Sequence, residues 1–193
     1  MRMTDDCQTE ADLLARAGRG DNAAAAALLD RLGPRLMAFA RRMTAGDRAL
    51  AEDIVQEAFL RLWKRAGDWD AQGSAQMSSW LGRVAANLAI DARRRASRTQ
   101  GMPDGWDPED GSPGVETRMM RDEDLSALDR ALASLPDRQR EAVVLRHIEG
   151  YSNPDIAAMM DCGVEAVESL TARGKRRLVD VMRKTDGGRD EKR

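Results

Sequence analysis

The sequence predicts an all-α fold of two small helical domains joined by a flexible acidic linker, the C-terminal one a helix-turn-helix. Three observations carry this. Charged residues make up 33% of the 193 and aromatics only 4%, a composition rich in helix formers and poor in strand formers. Apolar residues recur at helical spacing in several separate stretches. In Ala51–Arg65 they are Ile54, Val55, Ala58, Phe59, Leu62 and Trp63, the stripe of an amphipathic helix. Between these stretches, residues 99–124 bring Pro103, Pro108, Pro113 and eight acids against two bases, and apolar periodicity is absent up to Val115. The expected division is a first domain over residues 1–98, a linker over 99–122, a second domain over 123–185 and a disordered tail over 186–193. Within residues 99–122, Gln100–Glu116 reads as a flexible acidic linker and domain boundary.

The elements follow in order. Thr9-Glu10-Ala11-Asp12 has the form of a capping box, Leu13 and Leu14 follow, and Gly18 and Gly20 stop the first helix. Asp21 or Asn22 caps the next helix, AAAAALLDRL, which Gly33 ends; Pro34 then opens a separate helix over Arg35–Met43. Gly46-Asp47 breaks again, and Asp47 is placed to cap the Ala51–Arg65 helix. Gly67–Ser78 reads as a loop carrying Trp69. Ser78 or Ser79 caps a long helix whose inner stripe is Leu81, Val84, Ala85 and Leu88. Trp80, Arg83, Asn87 and Arg94 fall on another of its faces, and Arg93, Arg94, Arg95 and Arg98 end it.

After the linker, Glu123–Ala133 resumes as a helix with Leu125, Leu128 and Leu132 in register. Ser134-Leu135-Pro136-Asp137 starts another that runs to about Glu149. Asn153 and Pro154 then cap a short helix to Met160. Asp161-Cys162-Gly163 is a tight turn, and Val164–Met182 is a longer helix with Val164, Val167, Thr171, Gly174 and Leu178 facing Ile156 and Met160. Short helix, glycine-containing turn and longer helix form a helix-turn-helix.

Charge is patterned. Residues 1–98 hold 16 Lys or Arg and 13 Asp or Glu, residues 99–124 hold 2 and 8, and residues 125–193 hold 13 and 12. Positive charge therefore sits in local clusters, and a nucleic-acid surface would be one face rather than a whole domain. No apolar run approaches the roughly 20 residues of a membrane span, and Met1–Glu10 does not read as a signal peptide, so a cytoplasmic protein is expected. Cys7, Cys162 and His147 do not form a metal-ligand pattern, so neither a metal site nor a cofactor is expected. Cys162 reads as a small buried apolar residue and His147 as a surface or boundary one. No nucleophile–base set or glycine-rich phosphate loop points to an enzyme.

Two motifs hold more than a fold requires. On pattern alone Ala51–Arg65 is a surface helix over a small core. Its other side, however, gathers Asp53, Gln56, Glu57, Leu60, Arg61 and Lys64, acids first and bases last, as the helix dipole favours. The Arg93–Arg98 run is by itself either a solvated helix end or a phosphate-tracking surface beside tryptophans.

The stretch AEDIVQEAFLRLW resembles the polymerase-docking helix of bacterial sigma factors of the extracytoplasmic-function type, with its AED-x-VQE-x-F-x-R-x-W pattern. The segment from Trp80 is similar to that family's promoter-melting helix, W-L-x-R-x-A-x-N-x-A. LPDRQREAVVLRHIEGYSNPDIAAMM is similar to its C-terminal domain, which reads the −35 element. The resemblance covers nearly the whole chain. It implies an alternative sigma factor that directs promoter-specific initiation in response to stress. Its partners would be core RNA polymerase, through the clamp coiled coil and the flap, and promoter DNA at the −35 and −10 elements. Asp53, Gln56, Glu57, Leu60 and Arg61 would bind the clamp. Trp69, Trp80, Arg83, Asn87, Arg94 and Arg95 would contact the −10 element, from which a base is drawn out of the duplex. Glu165, Glu168, Ser169, Ala172, Arg173 and Arg176 would contact the −35 element. A separate anti-sigma factor, often zinc-binding, would compete with polymerase for the docking face, with the metal on that partner.

The sequence also departs from the family pattern. Glu168 and Leu170 stand where Lys or Arg is usual, Ala172 where His is common, and Gly163 where Ser is common. The positive charge of the last helix therefore comes from Arg173, Lys175, Arg176 and Arg177. The competing reading is a helix-turn-helix transcriptional regulator that is no sigma subunit, since many regulators share a similar C-terminal half; the first two motifs separate the two.

Overall fold

A computed structural model describes residues 9–70, 76–99 and 126–190. Among them every regular element is helical: α1 (Glu10–Ala17), α2 (Asn22–Met43), α3 (Arg48–Lys64), α4 (Met77–Thr99), α5 (Ala127–Ala133), α6 (Asp137–Val143), α7 (Asn153–Met160) and α8 (Val164–Asp190). A 3-10 turn, Ala66–Asp68, follows α3, and a π-helical segment, Val144–Ile148, follows α6. No described helix is long and apolar enough to cross a membrane. The chain forms two compact units, Met1–Ala40 with Ala49–Ala85, and Arg41–Arg48 with Ala86–Arg193. Apart from Thr99, the expected linker over residues 99–122 lies outside the described residues, as do Cys7 and Leu125.

In the first unit, α1 starts as its sequence dictates. Thr9 Oγ1 accepts from the Asp12 N–H at 3.1 Å, and Asp12 Oδ2 accepts from the Thr9 N–H at 3.2 Å. At Gly18, where α1 ends, a Cβ would meet Ala66 Cβ at 2.6 Å, so only glycine admits the 3-10 turn this closely. Asp21, not Asn22, caps α2, its Oδ1 accepting from Ala23 N at 3.0 Å and Ala24 N at 3.1 Å.

The expected break at Gly33-Pro34 is absent, and α2 runs through both residues. An interior proline costs roughly 3 kcal/mol by removing a hydrogen bond and crowding the preceding turn. The unbroken helix keeps Leu28, Leu32, Leu36 and Phe39 on one buried stripe, each worth about 1.5–3 kcal/mol, so packing wins. From α3, Ala51, Ile54, Val55, Ala58, Phe59 and Leu62 close the core, whereas Trp63 is only half-buried against Phe59. α4 begins at Met77, one residue before the serines expected to cap it, because the buried Met77 side chain is drawn into the core. Its inner face is Leu81, Ala85, Ala86, Ala89 and Ile90; Val84 and Leu88 are half-buried at its margin.

The second unit is organised around α8, which packs on α5, α6 and α7. Ser126 caps α5, of which Leu132 is buried and Leu128 exposed. Ser152 rather than Asn153 caps α7, accepting from Asp155 N at 3.3 Å; Asn153 is already its first helical residue. Asp161 takes the left-handed conformation (φ 50°, ψ 56°) that turns the chain from α7 to α8. On α8 the inward residues are Val167, Leu170 and Gly174. Val164, the first residue of α8 and expected on this face, is 39% exposed. Cys162 is half-buried rather than buried, and His147 is exposed. The backbone of α8 is helical to Asp190, and residues 191–193 of the expected tail lie outside the described residues.

Arg140 is 4% exposed. Its Nε and Nη2 each donate to the Met43 carbonyl at 3.3 Å, and Nη1 donates to the Leu135 carbonyl at 3.1 Å. Met43 is the last residue of α2, so this guanidinium satisfies a carbonyl that the helix end leaves open.

Candidate functional site

The outward face of α3 is built by the same helix that closes the core. With Ile54, Val55, Ala58 and Leu62 directed inward, Asp53, Gln56, Leu60 and Arg61 are exposed and Glu57 is half-buried. Arg61 Nε donates to Glu57 Oε1 at 2.8 Å, one turn apart, with both side chains largely in water. Such a pair is worth only a few tenths of a kcal/mol. A partner can therefore rearrange it at little cost. Leu60, 40% exposed, adds an apolar contact amid the polar groups.

A second cluster lies where the 3-10 turn meets α4. Trp69 and Trp80 are both half-buried, with ring centroids 6.1 Å apart and planes at 87°. Arg65, which the sequence reading did not single out, places its guanidinium carbon 5.9 Å from the Trp80 ring centroid. Along α4, Arg83 and Asn87 are exposed. Half-buried tryptophans beside cations are the combination used to stack unpaired bases, worth about 1–3 kcal/mol per base.

The arginine run that ends α4 is not uniform. Arg95 and Arg98 are exposed. Arg93, absent from the expected DNA contacts, is 12% exposed and its Nε donates to Glu141 Oε1 at 2.8 Å; Arg94 lies 3.8 Å from Asp161. Only the spacing of 48 residues between Arg93 and Glu141 hid this pair from sequence reading. Glu141 is fully buried; burial pushes its carboxyl above the ordinary value, and Arg93 and Arg140 only partly offset that.

On α8, Glu165, Glu168, Ser169, Ala172 and Arg176 are exposed and Arg173 is half-buried. Asn153 Nδ2 donates to Glu168 Oε1 at 3.2 Å, tying the start of α7 to the exposed face of α8. Leu170, standing where a base is usual, is 3% exposed and belongs to the core. It therefore takes no part in the exposed face of α8. Among the described residues, no three His, Cys, Asp or Glu side chains gather to hold a metal ion.

Residues 28–99 match the Sigma-70 region 2 family and residues 125–178 match Sigma-70, region 4. The ECF RNA polymerase sigma factor SigM of Mycobacterium tuberculosis is 34% identical over 177 residues, spanning 91% of this chain and 85% of its own length. SigF of Caulobacter vibrioides is 33% identical over 190 residues, spanning 96% of this chain and 100% of its own. The sigma factor RpoE of Bartonella quintana, solved with the anti-sigma factor NepR, superposes with a TM-score of 0.54 at 26% identity, over 80% of this chain and 94% of that one. CnrH, solved with the cytosolic domain of CnrY, gives 0.50 at 26% identity over 90% and 96%. The chain belongs to the extracytoplasmic-function family of RNA polymerase sigma factors.

Proposed function

We propose that this chain is an alternative sigma factor that binds core RNA polymerase, directs promoter-specific initiation in response to stress, and is held inactive by an anti-sigma factor. The observation that carries the reading is α3, which buries one stripe and leaves Asp53, Gln56, Leu60 and Arg61 exposed on the other side. The match of residues 28–99 to Sigma-70 region 2 supports this reading over a helix-turn-helix regulator. Residues 1–98 then act as region 2, residues 123–185 as region 4, and residues 99–122 as the linker between them. In this scheme Asp53, Gln56, Glu57, Leu60 and Arg61 hold the polymerase clamp. Glu165, Glu168, Ser169, Ala172, Arg173 and Arg176 contact the −35 element. Trp69, Trp80, Arg83, Asn87, Arg94 and Arg95 contact the −10 element. Unstacking one base there costs a few kcal/mol, which stacking on the tryptophans and hydrogen bonds from Asn87 offset.

The protein is an initiation subunit rather than an enzyme, and it acts in the cytoplasm, where polymerase and DNA meet. The sigma factor RpoE was solved bound to the anti-sigma factor NepR, which supports the same form of control here. An inhibitor covering the α3 face excludes polymerase by occupying the same residues. Run-off transcription with purified core polymerase tests the reading. Promoter-specific transcripts that depend on this chain are expected; DNA binding without any transcript would assign it instead to helix-turn-helix regulators.

A further inference from the structure

Arg65 closes the Ala51–Arg65 stretch, beyond the AEDIVQEAFLRLW pattern that resembles the docking helix and ahead of the segment that starts at Trp80. Its backbone is nonetheless fixed. Its N–H bonds the Arg61 and Leu62 carbonyls at 3.2 and 3.0 Å, and its own carbonyl accepts from Asp68 N at 3.0 Å. The side chain is exposed, yet its guanidinium carbon lies 5.9 Å from the Trp80 ring centroid. Trp80 in turn meets Trp69 at 87°. Three elements thus contribute to one cluster: the end of α3, the residue after the 3-10 turn, and the first turns of α4.

We propose that Arg65 is a positioning residue for promoter melting, its guanidinium over Trp80 holding the Trp69–Trp80 pair in the right-angled arrangement that receives an unpaired base. The inference rests on the sigma-factor reading above. An indole at the exposed start of a helix samples several rotamers, and ordering it when a base arrives subtracts from the stacking energy. A cation held against the ring supplies that order in advance. Arg65 therefore acts through Trp80, and its loss reduces base capture without weakening DNA attachment.

The test begins with the wild-type chain and core polymerase, used to select a promoter from randomised DNA. The selected promoter is then labelled with 2-aminopurine on the non-template strand of its −10 element, and unstacking is followed by fluorescence. For Arg65→Gln, an about two- to fivefold loss of opening is expected from the strength of an exposed cation–aromatic contact. Core affinity, closed-complex affinity and the salt dependence of the closed complex should match wild type. Arg65→Lys, which keeps a cation on a flexible stem, should recover at least half of the lost opening. Wild-type opening by Arg65→Gln overturns the proposal, and so does equal impairment of the Gln and Lys variants. A weaker closed complex with a salt slope smaller by about one unit also overturns it, because that is the signature of a phosphate contact. Failure of the wild-type holoenzyme to select any promoter overturns the sigma-factor reading itself, and the proposal with it.

Discussion

Arg93 Nε donates to Glu141 Oε1 at 2.8 Å, and the two side chains are only 12% and 2% exposed. The pair joins α4 to α6 inside the second unit, and Glu141 Oε2 has no hydrogen-bond partner. Removing one member of such a pair leaves the other buried and uncompensated. Arg93→Ala is expected to destabilise the fold by about 3 kcal/mol. Glu141→Gln should cost far less, since the amide oxygen still accepts from Arg93. Urea unfolding of the two variants distinguishes them, and equal losses would count against this account.

The same carboxyl predicts a pH dependence. Burial raises Glu141 in the folded state above the ordinary value of 4.5. Its contribution is therefore fully present below pH 4.5 and is lost as the pH rises through the folded value. The wild-type urea midpoint should fall over that interval, and the midpoint of Glu141→Gln should fall less. Asp129 moves the other way: burial pushes it up, but hydrogen bonds from Arg42 and Ser126 outweigh this and hold it below 3.8. Its stabilisation is present above pH 3.8 and is lost as the pH falls through its lowered value, so the two effects occupy separate ranges.

Gly174 faces α6, where a Cβ would lie 2.7 Å from Val143 Cγ2 and 3.0 Å from the Gln139 carbonyl oxygen. Alanine there gains about 1 kcal/mol of helix propensity but overpacks the contact by about 1–3 kcal/mol. Net destabilisation of Gly174→Ala is expected in thermal melts. Gly33→Ala has nothing within 4 Å of the added carbon and should stabilise α2 by about 0.5–1 kcal/mol.

Charge reversal on the outer face of α3 should separate binding from folding. Asp53→Lys or Glu57→Lys is expected to weaken core polymerase binding at least tenfold in a titration. Helicity should stay unchanged and the unfolding free energy should shift by less than about 0.5 kcal/mol, because Asp53 is exposed and the Glu57–Arg61 pair is screened by solvent. A variant that retains full affinity would remove that residue from the docking face.

Asn87 is exposed on α4, two turns beyond Trp80. Asn87→Ala should leave closed-complex affinity within about twofold of wild type and reduce open complex roughly tenfold, in line with about 1–3 kcal/mol for a lost base-edge contact. Permanganate reactivity of unpaired thymines measures it.

What the sequence disclosed was local chemistry. The Thr9–Asp12 box, the inner stripe of α3 and the turn at Asp161 each depend on residues a few positions apart, and each was legible. The continuity of α2 was not, because the penalty at Pro34 is local while the burial that overrides it involves other helices. Val164, expected on the inner register of α8, is exposed, whereas Leu170, which that register omitted, is buried. Of the candidate surfaces, the outer face of α3 followed directly from its stripe. Arg93 could not be told from Arg95 within a run of arginines, since its partner enters from a distant helix. Arg65 carried no signal at all, as a single cation beside two motifs has no period to reveal it.

The π-helical segment Val144–Ile148 has a geometric consequence. Each residue advances an α-helix by about 100°, so the wider hydrogen-bonded loop, in which Glu149 N reaches back to the Val144 carbonyl at 3.1 Å, holds one residue more than an α-helical turn. Leu145 stays in the core while Arg146 and His147 turn to water. Removing that residue would restore ordinary spacing and swing the exit at Gly150 about the helix axis. The number of residues between Glu141 and Ser152 thus works as an angular setting: it fixes the direction in which α7 leaves, and a relative one residue shorter here would aim its recognition helix elsewhere.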